Sequence, residues 1–154
     1  MRFIYFDKML EVEKDKRALA SKAVSVTEEF FPAHYGKAPV MPPSLIVECM
    51  AQVGGWLHVV SRDFQIETML VLVQDVQFWG LVRPGQVLML EAWLAFGHVD
   101  GATMRAEARV GDQVVARVAR MLFGSKVIPD PLQVQARREG FAYRGGTLER
   151  SESP

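Results

Sequence analysis

The chain has 154 residues, 49% of them hydrophobic and 23% charged, and its eighteen basic side chains balance eighteen acidic ones. That length suffices for one domain with a substantial core, and the even charge excludes a general nucleic-acid or membrane-surface binder. The single cysteine, Cys49, excludes an internal disulfide and fits a reducing compartment.

Taken in order, residues 2 to 13 predict a strand that is irregular at its start, and Lys14-Asp15-Lys16 predicts a polar turn. The opening Met-Arg-Phe-Ile-Tyr-Phe-Asp-Lys lacks the uninterrupted apolar run and cleavage site of a signal peptide, so a cytoplasmic protein is expected. Ala18 to Thr27 reads as a returning strand in which Val24 and Val26 alternate with Ser25 and Thr27. Glu28 to Pro32 predicts a short helical turn. Residues 34 to 43, with Pro39, Pro42 and Pro43 following close on Pro32, fit no regular element and predict a stiff loop.

Pro43 to Val60 predicts the organising element, a helix apolar nearly all the way round. Pro43 suits its first position, where a missing N–H costs nothing. Leu45, Ile46, Val47, Met50, Val53, Trp56, Leu57, Val59 and Val60 cover most of its circumference, so it must be buried on several sides. The run from 45 to 60 is too short and too polar for a membrane span. Glu48 and Gln52 lie four apart and share one face, which Gly55 continues. A carboxylate there requires a hydrogen bond, a partner or neutralisation. Gly54-Gly55 predicts the close approach of another backbone, and Cys49 predicts a buried, inert thiol.

Ser61 to Glu67 predicts a polar connection, and the rest is β. Strands are expected at 69–78, at 87–96 (too apolar to face water on either side), at 103–110 with Arg105, Glu107 and Arg109 outward, and at 113–123. Arg83-Pro84-Gly85, Val99-Asp100-Gly101 and Gly111-Asp112 are the turns between them. Pro129-Asp130-Pro131 ends the sheet, Gln133 to Glu139 predicts a short helix, and a loose tail follows. The expected organisation is a domain over 1–128 and a C-terminal extension over 129–154, partly helical or disordered. The class is α+β: a curved antiparallel sheet wrapped around a long central helix. One sheet cannot cover an all-round apolar rod, which predicts at least a dimer.

Loop and helix together carry a long motif: His34, Tyr35, Pro39, Val40, Met41, Pro42, Leu45, Glu48, Met50, Ala51 and Gln52. In this motif the chain resembles the 3-hydroxyacyl-acyl carrier protein dehydratases of fatty-acid synthesis, a hotdog-fold family. Arg2 to Glu13 and Val73 to Gly85 extend the likeness, which spans roughly residues 2 to 124 and leaves the tail outside.

The resemblance implies a hotdog domain over 1–128 and a mechanism. His34 takes the C2 proton of a 3-hydroxyacyl thioester, and Glu48, as the acid, protonates the departing C3 hydroxyl to leave a trans-2-enoyl thioester. Ser44, Gln52, Tyr35 and Met41 are the substrate-binding candidates. The substrate is carried on acyl carrier protein. The two catalytic groups come from different subunits of a homodimer or of a trimer of dimers, and no metal or organic cofactor is implied. The residue types suit the work, since histidine titrates near neutrality and an acid in an apolar setting can keep its proton.

One departure stands out. Pro43 occupies the position where the family usually has a glycine whose N–H binds the thioester carbonyl, and Ser44 is the candidate to substitute for it. Two rivals follow: a thioesterase in which the acid activates water, and a non-catalytic hotdog protein that binds acyl chains or a partner dehydratase. His58 is expected in the core or an interface and His98 in solvent. Arg83, Arg105, Arg109, Arg117 and Arg120 are expected on the wet face of the sheet, with contact to an acidic carrier as the alternative.

Overall fold

A computed structural model describes residues 4–31 and 39–145. His34 and Tyr35 therefore lie outside the described residues. Strands β1 (Lys8–Glu13) and β2 (Arg17–Ala23) are followed by helix α1 (Pro43–Ser61). Then come β3 (Ile66–Phe78), β4 (Val87–His98), β5 (Gly101–Val110), β6 (Gln113–Val127) and helix α2 (Pro131–Tyr143). All strand pairs are antiparallel, in the order β1-β2-β4-β5-β6-β3, so the six-stranded sheet is open and β1 and β3 are its edges. The α+β arrangement predicted from the sequence, one sheet around one helix, is the one observed.

The sheet curves because its pairing is repeatedly shifted. Register breaks fall between Met9 and Glu11, Leu70 and Leu72, Leu94 and Phe96, and Met104 and Ala106. Such bulges increase the local twist and bend the strand. The concave face receives α1, whose Ile46, Cys49, Met50, Val53, Leu57 and Val60 are buried against Leu88, Leu90, Ala106 and Val118 of the strands. Each such aliphatic side chain contributes about 1.5–3 kcal/mol when fully buried. By length and hydropathy α1 would pass for a membrane span, but its apolar stretch is 67% buried within the fold, as a core helix requires.

Several expectations change. Strand β2 stops at Ala23, and Val26 is 68% exposed; Val24 is buried in the core cluster, and its N–H binds the Gln86 carbonyl. Strand β4 is buried on one side only: Leu88, Leu90 and Ala92 face the core, whereas Val87 and Phe96 are exposed. Glu107, expected in water, is buried, because Arg109 and the cross-strand Arg117 close over its carboxylate. The Gly54-Gly55 pair faces side chains rather than backbone. A Cβ on Gly54 would stand 3.0 Å from Met104 Sδ, and one on Gly55 would stand 3.4 Å from Thr68 Cγ2.

The C-terminal helix is longer than Gln133–Glu139. Asp130 caps it by accepting the Leu132 N–H, and Pro131 is its first residue. It folds back onto the open side of α1. Phe141 is buried between Trp56 and Phe64, with ring centroids 5.6 Å from each. Phe64 sits in a left-handed conformation (φ 66°) that turns the chain out of α1, an unusual state for a bulky residue. So α2 covers part of the helix surface that the sheet leaves bare, over Trp56. The N-terminal half of that surface, around Leu45, Glu48 and Gln52, stays half-buried.

Candidate active site

The approach to α1 is pinned before the helix begins. Met41 is buried and its N–H binds the Val82 carbonyl at 2.8 Å. Met41 is thus a core anchor of the segment leading to Pro43, and it does not line the cleft described below. Pro42 precedes the helix without a side-chain cap, and its carbonyl accepts the N–H of Leu45 and of Ile46. Ser44, exposed in the first turn, lies ahead of those donors, where helix N–H groups point out of the helix end. Pro43, also exposed, has no N–H to offer.

One turn further on, Glu48 and Gln52 meet as their spacing predicts. The Gln52 amide Nε2 donates to Glu48 Oε1 at 2.8 Å. Gln52 Oε1 in turn accepts the backbone N–H of Tyr5 at 2.8 Å. This second bond runs from the segment before β1 to the central helix, and it settles which end of the amide faces the acid. A backbone N–H only donates, so the amide oxygen must face Tyr5 and the NH2 must face Glu48. The carboxylate is therefore oriented by a neutral group held from behind. No periodicity announces the Tyr5 contact, since it joins residues 47 apart in sequence.

Glu48 and Gln52 line a cleft of about 250 Å³ that continues past Gly55 to Val59, with Trp56, Leu70 and Phe123 as apolar walls. The volume lies just below the ~300–1,000 Å³ common for small-molecule sites. The far wall includes Arg137 from α2, which nothing in the sequence pattern placed there.

The neighbouring titratable groups are structural. Burial pushes the Cys49 thiol up to about 12, and the thiol donates to the Tyr5 carbonyl at 3.1 Å, so Cys49 is no nucleophile. His58 is fully buried, 2.8 Å from the His98 carbonyl and 3.2 Å from Ser125 Oγ, and His98 itself is exposed. Of the surface arginines, Arg109 and Arg117 are engaged by Glu107, and Arg105 lies over the Trp93 ring at 4.0 Å.

A sheet wrapped around a buried helix, with a carboxylate at the mouth of an apolar cleft on that helix, defines a protein of the hotdog class. Its relatives sharpen this. Residues 1–119 match the FabA-like domain, and the chain belongs to that family. It is 37% identical over 125 residues to the 3-hydroxyacyl-[acyl-carrier-protein] dehydratase FabZ of Caldicellulosiruptor bescii, covering 80% of this chain and 89% of that one. The FabZ of Chlamydia muridarum is 37% identical over 119 residues, 74% of this chain and 77% of that one. The resemblance read on the His34-to-Gln52 motif is thus borne out as family membership.

Among solved structures the fold is similar to the dehydratase heterocomplex ApeI:P from Xenorhabdus doucetiae (TM-score 0.63, 18% identity, 88% of this chain and 89% of that one). It is also similar to the acetyl-CoA-bound protein smu.793 of Streptococcus mutans (TM-score 0.66, 11% identity, 84% and 96%).

Proposed function

We propose that this chain is a 3-hydroxyacyl-acyl carrier protein dehydratase of fatty-acid or related lipid synthesis, a cytoplasmic hydro-lyase. The observation that carries the proposal is Glu48, oriented by Gln52 at the mouth of an apolar cleft, in a chain of the FabA-like family. His34 removes the C2 proton of the substrate, and Glu48 protonates the C3 hydroxyl. The C3–O bond breaks, water leaves, and a trans-2-enoyl thioester remains. Both groups return to their starting protonation by proton exchange, with no metal or organic cofactor. Ser44, at the helix N-terminus, is the proposed donor to the thioester carbonyl in place of the N–H that Pro43 lacks. Tyr35 lies beside His34 in the motif, and its proposed role is contact with the thioester.

The functional unit is a homodimer, alone or as a trimer of dimers, in which His34 from one copy meets Glu48 of the other. Supporting this, β3 exposes Met69, Val71 and Leu72 at an edge of the sheet that no described strand pairs, and the Glu48 face of α1 is only half-covered. Of the five arginines expected on the wet face, Arg83, Arg105 and Arg120 are exposed and not held by Glu107, and they are the proposed contacts of an acidic carrier.

The test is hydration of crotonyl thioester, the reverse reaction. Wild type is expected to form the 3-hydroxy product, and His34→Ala to lose about 10²–10⁴ of that rate. Release of free thiol instead would identify a thioesterase. Acyl binding without turnover would support the non-catalytic relative that Pro43 favours.

A further inference from the structure

The cleft at Glu48 has a direction. Glu48, Gln52, Gly55 and Val59 are spaced four, three and four apart, one continuous face of α1 about 16 Å long. Gly55 keeps the floor flat between Trp56 on one side and Leu70 and Phe123 on the other. A trough with these apolar walls, polar at Glu48, Gln52, Thr68 and Arg137, suits an acyl chain whose reacting carbons sit at Glu48. The occupant is therefore the hydrocarbon tail of the thioester, and this step rests on the dehydratase reading above.

Arg137 lines the trough as well, and its partners Ile66 and Glu67 open β3, the strand that follows the Val59 end of α1. Two bonds hold this side chain: Nη1 donates to the Ile66 carbonyl at 3.1 Å, and Nη2 donates to Glu67 at 3.0 Å. With its guanidinium pinned to the first residues of β3, the long stem cannot swing aside cheaply. The helix carrying it is fixed too, by Phe141 against Trp56 and Phe64 and by the Met9 N–H bound to the Arg144 carbonyl just beyond it. Residues 131–143 lie outside the matched span 1–119, so this wall does not come from the family domain.

We propose that Arg137 is the stop of the acyl trough, and that helix α2 thereby sets the longest acyl chain this protein accepts. It acts through volume at the far end and touches none of the reacting atoms. Its removal extends the trough along α2, where a groove between Trp56 and Gly140 already lies open.

The experiment compares wild type, Arg137→Ala and Arg137→Met across straight-chain trans-2-enoyl thioesters from crotonyl to hexadecenoyl. The readout is kcat/KM for each length relative to crotonyl. In parallel, calorimetry follows binding of unreactive S-alkyl thioethers of N-acetylcysteamine over the same lengths. Arg137→Ala is expected to move the cut-off to longer chains, gaining about tenfold or more for the first lengths that wild type rejects. Arg137→Met loses the same two hydrogen bonds but restores bulk, and it is expected to keep the wild-type cut-off. One shared cut-off for all three proteins overturns the proposal. So does a shift in both variants, which would mean that loosening α2, not volume at 137, matters. If nothing is hydrated but the binding cut-off still moves in Arg137→Ala alone, the dehydratase reading fails and the stop stands. If neither turnover nor binding occurs, both fall.

Discussion

Two glutamates, Glu107 buried and Glu48 half-buried, are held in opposite ways. Glu107, on the convex face of the sheet, is clamped by Arg109 at 2.7 Å and by Arg117. Burial pushes its carboxyl up, but the hydrogen bonds from Arg117 and Arg109 outweigh that and hold it below its ordinary value. Glu48, on the central helix, has a neutral amide as its described partner. A guanidinium fixes a negative charge in place; an amide orients a carboxyl without committing its charge. The first arrangement makes an ionic fastener, and the second is the one that the proposed acid role of Glu48 requires.

The largest expected effects break this contrast. Glu48→Gln is expected to reduce crotonyl hydration by about 10²–10⁴-fold while leaving the urea midpoint close to wild type. Glu107→Gln is expected to do the reverse: activity within a few-fold, with a stability loss of about 1–3 kcal/mol, because two arginines lose an ionic acceptor at a buried position. Equal loss of activity in both variants, at equal stability, would erase the distinction between fastener and acid.

A middle-sized effect sharpens it. Gln52→Leu keeps the volume but removes both the donor to Glu48 and the acceptor for the Tyr5 N–H. The hydration rate is expected to fall by up to about 10²-fold, the scale of a misplaced catalytic group. Gln52→Glu restores an acceptor for Tyr5 but not the donor, and it is expected to recover stability without recovering rate. If Gln52→Glu recovers both, Gln52 serves the fold and not the orientation of Glu48.

Much of this contrast was legible in the residues. The spacing of four between Glu48 and Gln52 placed them on one face, and an all-round apolar run with Pro43 at its head defined the central helix. Glu107 was not legible, because strand alternation points it outward and only the cross-strand register brings Arg117 over it. Helix α2 was underestimated for a similar reason. Pro129-Asp130-Pro131 reads as a terminator, but Asp130 is also a cap and Pro131 a first helical residue. Its placement depends on Phe141 finding Trp56, a contact across 85 positions that no local pattern encodes. The Tyr5 bond to Gln52 is long-range in the same way, so the acid was visible in sequence and the support behind it was not.

The smallest expected effect separates the ionic fastener from a second buried group on α1. Burial holds His58 below the ordinary histidine value of 6.5. Arg62 pushes the same way, while the His98 carbonyl bond and Asp15 oppose it. A carbonyl only accepts, so Nε2 carries a proton, and burial disfavours adding a second one at Nδ1. Below about 6.5 the unfolded chain therefore takes up a proton that the folded chain refuses, and stability falls as the pH falls. The Glu107 contribution has its own window: present in full above the ordinary carboxyl value of 4.5, it is lost only as the pH drops below that through the depressed folded value. Urea midpoints followed downward in pH are thus expected to decline in two stages. His58→Gln, which can still donate to the His98 carbonyl, should flatten the upper stage alone, and Glu107→Gln the lower stage alone. If His58→Gln leaves the decline just below 6.5 unchanged, another group controls that window and His58 is already matched to its charged form in the fold.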